Sequence, residues 1–496
     1  MTAPSSKPRS SFFTSVLKLV SGTTVAQAIT ILTAPIISRL FVPETFGVLN
    51  VFTSMVTIIS IVICLRYEFA IVLPEDDADA ANLVGLCIMI ALGISVLIGL
   101  VLLILGKPLV NLLKAQNLFA FLWLIPISLL IQGFFQTFNY WNTRTKHFGR
   151  LSIARVSASV TTSALPMLFA TLGQATGASL IFSYVAGTFV FMSVLGVQVL
   201  RDSASLFYRS IQRAGILINL KRYRKFPLID SWSSFINNLS WQLPSLMLLY
   251  FFSETVVGYY SLSSRLILLP LTLLGSSIAQ VFYQRSAELR TNPANLARSV
   301  ELVFHRLAAI GLFPALVLAI AGPQLFSIVF GANWIEAGRY TQILSPWMFI
   351  LFISSPISNL FAALERQELA LIINIIILIT RFTALVIGGL THNIFTALII
   401  WSATGVIIYG GLLLWLLKLT HVKWAALYAI IHYCLYASLP VLVLVVGKNL
   451  FSSSPIYLIM ITLVVTIAYY AIVISKDQKM REYLFALIPL RKSNLG

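Results

Sequence analysis

Long apolar runs separated by short polar segments dominate the chain. Fourteen such runs can be delimited, at about 16–38, 47–66, 82–105, 119–139, 152–171, 177–200, 228–252, 256–282, 301–321, 339–363, 369–389, 394–417, 425–446 and 455–475. None shows the period-two alternation of a barrel strand, and about 20 apolar residues are enough to cross a bilayer as an α-helix. The pattern therefore predicts an all-α polytopic membrane protein with about 14 transmembrane helices.

Composition excludes an ordinary soluble protein. Of 496 residues, 58% are hydrophobic and only 10% are charged, and the mean hydropathy is +0.92. Soluble domains carry about 25% charged residues. The net charge of +18 would suggest nucleic acid in a soluble protein. Here the charges lie between apolar runs, which indicates a membrane and argues against a nucleic-acid partner.

The distribution of basic residues predicts the orientation. With the N-terminus in the cytoplasm and the spans alternating, 27 of the 34 Lys and Arg residues fall on the cytoplasmic side and five on the far side. Such an excess is the positive-inside signal, and a missed span would destroy it. The sequence therefore predicts that both termini are cytoplasmic.

Weak internal similarity predicts the domain organisation. Glu44-Thr45-Phe46-Gly47 between spans one and two resembles Glu254-Thr255-Val256-Val257-Gly258 between spans seven and eight. A six-helix unit repeated in the same orientation implies a pseudo-two-fold axis along the membrane normal and a site between the two halves. The predicted parts are an N-lobe (1–200), a basic cytoplasmic linker (201–227), a C-lobe (228–417), two appended spans (418–475) and a cytoplasmic amphipathic tail (476–496).

Catalytic and metal-binding patterns are missing from the sequence. It has no HExxH, GxSxG or phosphate-binding loop, and its three cysteines all fall within apolar runs. The acidic cluster at 75–79 opens span three, where a helix N-terminus explains it. A transporter without a cofactor is therefore expected rather than an enzyme. A polysaccharide polymerase or ligase would also need a larger outward loop than 322–338.

Charge within the apolar runs is the main functional signal. Arg265 and Arg381 both lie near the middle of a predicted span. An arginine at that depth costs about 2.5–3.5 kcal/mol unless it faces water or a partner. Acidic residues are too few and too near the span ends to neutralise both. The sequence therefore predicts a cationic cavity for an anionic ligand, since guanidinium pairs well with phosphate oxygens.

Further polar residues are candidates for the same cavity. Lys18, Gln27 and Gln242 lie within spans, and Arg39 and Arg66 lie at span ends, where interfacial anchoring is the ordinary alternative. A proton or sodium gradient is a candidate driving force, with Asp230, Glu254 and Glu68 as candidate titrating groups.

Several segments, in order along the chain, carry a family resemblance. They are Leu65-Arg66-Tyr67-Glu68 with Leu73-Pro74-Glu75, Asn142-Thr143-Arg144-Thr145-Lys146 with Phe148-Gly149-Arg150, Gly258-Tyr259-Tyr260-Ser261-Leu262 with Arg265 and Pro270, Gln280-Val281-Phe282-Tyr283-Gln284-Arg285, and Phe330-Gly331 with Trp334 and Ala337-Gly338. With this topology, the chain resembles the Wzx-type O-antigen unit flippases of the multidrug/oligosaccharidyl-lipid/polysaccharide exporter superfamily.

The resemblance implies two lobes that open alternately to each side, with spans one, two, seven and eight lining the cleft. It implies an undecaprenyl-diphosphate-linked oligosaccharide as substrate, moved from the cytoplasmic to the periplasmic leaflet of the bacterial inner membrane for O-antigen of lipopolysaccharide or another surface polysaccharide. A polysaccharide polymerase and a chain-length regulator are the implied partners. Arg265 and Arg66 lie in the matching segments, whereas Arg381 does not.

Two related substrate classes remain as alternatives. Lipid II flippases have an arginine-rich first span, and only Lys18 and Arg39 stand here, which argues against lipid II. A cation-coupled multidrug or metabolite exporter of the same superfamily would need carboxylates in the cavity, where this chain has arginine.

Overall fold

The structure is a computed structural model that describes residues 9–289, 292–363, 367–422, 425–450 and 455–476. Its helices are α1 (Arg9–Leu40), α2 (Pro43–Ser60), α3 (Asp77–Leu113), α4 (Leu124–Arg144), α5 (Phe148–Thr171), α6 (Gly177–Ser210), α7 (Arg213–Arg222), α8 (Ser231–Phe251), α9 (Glu254–Pro270), α10 (Ser276–Leu289), α11 (Pro293–Phe330), α12 (Ile335–Ile357), α13 (Leu360–Ala363), α14 (Gln367–Leu390), α15 (Ile394–Leu419), α16 (Ala425–Leu450) and α17 (Pro455–Lys476). The predicted all-α class is confirmed.

The apolar runs correspond to long helices. Within the described ranges, nine helices are long and apolar enough to cross a membrane by length and composition. Helices α4 and α8 are not among them, because glutamine and asparagine side chains interrupt their apolar sequences. Predicted span eight consists of α9 and α10, joined by the π-helical turn Leu271–Gly275. The count of 14 spans and the orientation of the termini stay predictions.

The first compact unit is Met1–Ser261. In it α1 packs on α5, α5 on α6, and α2 on α8. The unit therefore continues through α8, past the linker at 201–227 where the sequence predicts the lobe boundary, because α8 packs along α2. The linker itself forms the end of α6, the short helix α7 and the π-helical turn Phe226–Asp230.

Within this unit, the first turns of α2 and α9 meet backbone to backbone. A Cβ atom placed on Gly47 would lie 1.8 Å from the carbonyl oxygen of Glu254, and one on Gly258 would lie 1.8 Å from that of Pro43. The two contacts are reciprocal, because Glu254 precedes Gly258 on α9 by the same number of residues as Pro43 precedes Gly47 on α2. Reciprocal contacts of this kind are what a two-fold axis generates. The internal repeat of a six-helix unit itself stays a prediction.

The second compact unit is Leu262–Gly496. Helices α11, α12 and α15 form its centre, α14 packs on α15, and α16 and α17 pack on α11. Tyr469 and Tyr470 of α17 donate hydrogen bonds to the carbonyl oxygens of Ala309 and Ile310, over 3.0 and 2.8 Å. The two appended spans of the sequence analysis therefore share the hydrophobic core of this unit. The predicted cytoplasmic tail from 477 onward lies outside the described residues.

Candidate functional site

A sharp turn after α2 positions Arg66. Leu65 and Arg66 have φ angles of 48° and 65°, in the left-handed region that non-glycine residues seldom adopt. The turn directs the Arg66 Nε to the Oδ2 of Asp230, over 2.7 Å, and places its guanidinium 4.1 Å from the ring centre of Phe69. The structure thus joins two residues to which the sequence analysis gives separate roles, in substrate binding and in ion coupling.

Glu68 lies beside this pair and is almost completely buried. Its carboxylate is 2% exposed, its Oε1 is 4.0 Å from Arg66, and its Oε2 has no hydrogen-bond partner among the described residues. Burial raises the pKa of Glu68 to about 7, a hydrogen bond from the backbone and the charge of Arg66 oppose the rise, and the charge of Asp230 adds to it. Near neutral pH this carboxyl group is therefore partly protonated.

Replacing Glu68 with glutamine should stabilise the protein more at high pH than at low pH. Between the ordinary pKa and about 7, the folded protein binds a proton that the unfolded chain has lost, so rising pH lowers the stability of the wild type. Above this window the free energy of unfolding of the wild type has fallen by the full cost of ionising the buried Glu68 carboxyl group, on the order of 3 kcal/mol. The melting temperature in detergent should therefore rise more in the variant at pH 8 than at pH 5.

The matched control is Glu75→Gln, the same chemical change at an exposed carboxylate. It should shift the melting temperature little at either pH. Equal gains at both pH values in the Glu68 variant would contradict a raised pKa at that residue.

Arg265 lies on α9 with an exposed side chain. No described residue forms an ion pair or a hydrogen bond with its guanidinium. The neighbouring Ser263 is instead fully buried and donates to the carbonyl oxygen of Ala337 over 2.6 Å. This serine contact fixes one face of α9 against α12. Arg265 is thus a charged group in a largely apolar helix, accessible and without an acidic partner in the described part of the chain.

Arg381 is enclosed in packed protein. It is 3% exposed, and its guanidinium lies 5.7 and 5.6 Å from the rings of Trp347 and Trp401. Its Nη2 also contacts the hydroxyl of Tyr409 at 3.5 Å. Cation–π contacts of this kind stabilise a desolvated guanidinium. The described contacts thus account for the buried cation without a ligand, and its predicted part in substrate binding stays a prediction.

The remaining candidates are dispersed. Gln242 of α8 accepts a hydrogen bond from Ser54 of α2 over 3.1 Å, an ordinary contact between helices. Gln27 is half-buried on α1, Arg39 is exposed at the end of the same helix, and the Lys18 side chain lies outside the described residues.

Glu254, at the start of α9, is one of two carboxylates that share the side-chain amide of Asn117. It accepts a hydrogen bond from Asn117 over 2.7 Å, and the same amide reaches Glu44 at 3.4 Å. Partial burial raises the pKa of Glu254, the Asn117 hydrogen bond opposes this, and the charge of Glu44 adds to it. Sequence reasoning missed Asn117, since no local pattern relates it to either carboxylate.

Sequence reasoning also gave no role to Arg155, which the positive-inside count assigns to the cytoplasmic side. Arg155 is half-buried on α5, and its Nη1 donates to the hydroxyl of Thr23 on α1 over 2.5 Å. No described carboxylate pairs with it. The feature of the sequence that could have identified Arg155 is its position in the first turns of an otherwise apolar helix.

Comparisons with known proteins agree with this architecture. A family model described as "Polysaccharide biosynthesis protein" matches residues 36–339. No curated protein matches the chain significantly.

Among solved structures, the inward-facing form of a multidrug resistance MATE transporter of the MOP superfamily is 16% identical and has a TM-score of 0.64, covering 81% of this chain and 98% of its own. Lipid II flippase MurJ, in an inward closed conformation, is 12% identical with a TM-score of 0.64, covering 94% and 99%. A MOP superfamily transporter from Pyrococcus furiosus is 14% identical with a TM-score of 0.55, covering 82% and 95%.

At these identities the solved structures establish the fold, and the family model covers well over half of the chain. The predicted resemblance is confirmed: the chain belongs to the polysaccharide biosynthesis protein family and has the fold of the multidrug/oligosaccharidyl-lipid/polysaccharide exporter superfamily.

Proposed function

We propose that this protein is a flippase for an oligosaccharide linked to undecaprenyl diphosphate. It moves this substrate from the cytoplasmic to the periplasmic leaflet of the bacterial inner membrane, for O-antigen or another surface polysaccharide. The family assignment supports a place in polysaccharide synthesis, and the fold supports transport. No covalent step is needed, so the protein is not an enzyme in this proposal.

Arg265 is the observation that carries the proposal. A cation in an apolar helix is costly, and in the described structure no carboxylate offsets that cost. A diphosphate brings at least two negative charges, and the guanidinium fork binds phosphate oxygens through two parallel hydrogen bonds. The missing counter-charge is therefore supplied by the substrate while its head group crosses the membrane.

Arg66 and Asp230 supply a second step in the proposal. The Asp230 Oδ2 accepts a hydrogen bond from the Arg66 Nε over 2.7 Å. A diphosphate entering from the predicted cytoplasmic side competes with Asp230 for the same donor groups. The charge of Arg66 favours the ionised form of Glu68, so engagement of Arg66 by a diphosphate changes the electrostatic surroundings of Glu68 and makes its proton occupancy respond to substrate arrival. Proton coupling at Glu68 is therefore favoured over coupling at Glu254, which is only partly buried and has no cation beside it among the described residues.

The test is to deplete the protein in cells and identify the lipid-linked saccharide that accumulates. We expect a complete oligosaccharide unit on polyprenyl diphosphate to accumulate on the cytoplasmic leaflet, with loss of surface polysaccharide. Purified protein in vesicles should then move that lipid between leaflets, faster across an imposed pH gradient. The polymerase and chain-length regulator would act on the product and are expected as partners.

A multidrug exporter is the result that would overturn this proposal. The MATE transporter has a TM-score equal to that of the flippase, so the fold does not separate the two classes. Drug resistance on overexpression, with normal surface polysaccharide after depletion, would assign the protein to the exporter class.

A further inference from the structure

Helix α7 is fixed to the first unit along one face. The backbone N–H of Gln212, just before α7, donates to the Oδ1 of Asn82 over 2.9 Å, and the buried Asn219 donates to the carbonyl oxygen of Asp79 over 3.2 Å. Gly215 lies between them, where a Cβ would come within 2.6 Å of the Asn82 side chain. This face is thus pressed against α3, and the opposite face must point away from the protein.

The opposite face carries both apolar and basic side chains. Leu217 and Ile218 are 58% and 62% exposed, and the following turn leaves Leu228, Ile229 and Trp232 about two-thirds exposed. Exposed cations are interleaved with them: Arg213, Lys221, Arg224 and Lys225. No described carboxylate pairs with these four, whereas Arg222 on the anchored side lies 3.9 Å from Asp79. We call residues 213–232 the basic linker surface.

We propose that the basic linker surface binds the head groups of anionic phospholipids and thereby positions Asp230 against Arg66. Phosphate groups supply the counter-charges that the four cations lack, and the adjacent acyl boundary receives the exposed leucine, isoleucine and tryptophan side chains. An acidic protein would satisfy the cations but would leave these aliphatic side chains in water. The helices on both sides, α6 and α8, belong to predicted spans, so the segment lies at a membrane surface.

Two hydrogen bonds connect this surface to the Arg66 site. The Tyr67 hydroxyl donates to the carbonyl oxygen of Leu220 on α7 over 2.9 Å, and Tyr67 stands between Arg66 and Glu68. The π-helical turn Phe226–Asp230 ends at the carboxylate that accepts from Arg66. Lipid that holds the linker at the membrane therefore also holds the two groups that contact the Arg66 turn. These are the Leu220 carbonyl oxygen, which accepts from Tyr67, and the Asp230 carboxylate, which accepts from Arg66. The binding step stands by itself, and its effect on transport rests on the proposed function.

The binding step is tested with a fluorophore on α7. In a Cys434→Ser background, which removes the exposed cysteine, Ile218→Cys is labelled with an environment-sensitive dye and placed in nanodiscs of mixed phosphatidylglycerol and phosphatidylcholine. Two nanodisc preparations of identical lipid composition are compared. In one the acyl chains of phosphatidylglycerol are brominated, and in the other those of phosphatidylcholine. We expect brominated phosphatidylglycerol to quench about twofold more than its share of the mixture predicts, as local enrichment of anionic lipid requires.

The quadruple variant R213Q/K221Q/R224Q/K225Q should lose this excess, and R285Q/R298Q, which neutralises exposed arginines elsewhere, should keep it. A dye at Leu103→Cys, an exposed position near the other end of α3, should be quenched equally by both lipids. Equal quenching at residue 218, or an excess that survives the quadruple change, would overturn the proposal and assign the cations to another partner such as an acidic protein. No transported substrate is present, so this result is independent of flippase activity.

The positioning step has its own measurement. Because the substrate competes with Asp230 for Arg66, lipid that holds Asp230 in place should slow transport at low substrate. Transport should therefore be severalfold slower with phosphatidylglycerol added than in vesicles of phosphatidylcholine alone, and the quadruple variant should be equally fast in both. Lipid enrichment at residue 218 together with transport that ignores phosphatidylglycerol would overturn the positioning step.

Discussion

Arg265→Ala is expected to abolish surface polysaccharide in a strain that depends on this protein, with the amount of protein in the membrane unchanged. Charged hydrogen bonds contribute about 1.5–3 kcal/mol each, and a bidentate contact to phosphate has two of them. The loss in vesicle transport should therefore be about 100-fold or more. The fold should survive, because the Arg265 side chain is exposed and no described residue depends on it.

Two variants separate substrate recognition from general effects of charge. Arg265→Lys keeps the charge but loses the planar fork, so transport should be intermediate. Arg339→Ala is the matched control, because Arg339 is also exposed but pairs with Glu336 over 2.6 Å, three residues before it on the same helix. It should transport normally. Normal polysaccharide from Arg265→Ala would remove the observation on which the proposed function depends.

The fold was largely predictable from hydropathy. Membrane spans are long apolar segments with their backbone hydrogen bonds inside the segment, so each run is informative without its neighbours. Breaks within the spans and the limits of the compact units could not be predicted in this way. The break of predicted span eight at Leu271–Gly275 is a change of helical winding within an apolar run. The continuation of the first unit through α8 depends on packing against α2, which no local pattern encodes.

The site was predictable as a set of residues but not as a set of contacts. Arg66 and Asp230 are 164 positions apart, so their separate selection from the sequence contained no sign of the ion pair between them. The same limit applies to Asn117 and its two carboxylates. Arg265 and Arg381 looked equivalent in the sequence, since both lie near the centre of an apolar run. They differ because aromatic side chains of α12 and α15 surround Arg381, a property of tertiary packing.

The reciprocal contact between α2 and α9 predicts a second large effect. Gly47→Ala and Gly258→Ala should each reduce transport at least about tenfold and lower the melting temperature, because overpacking of a close contact costs about 1–3 kcal/mol or more. In each variant the new methyl group meets a backbone carbonyl oxygen, which cannot rotate away as a flexible side chain can. The first turns of the two helices must separate instead. At the predicted periplasmic end of both helices, this prevents the tight contact seen in the structure.

The double variant distinguishes this explanation from two unrelated defects. Once one methyl group has separated the two turns, the second occupies space already opened, so the effects of Gly47→Ala and Gly258→Ala should be clearly less than additive. Gly93→Ala and Gly410→Ala are the matched controls, since a Cβ at either position has no atom within 4 Å and alanine favours a helix. Both should leave transport and melting temperature unchanged. Fully additive losses, or a loss at Gly93 equal to that at Gly47, would show that the two glycines do not act through one shared contact.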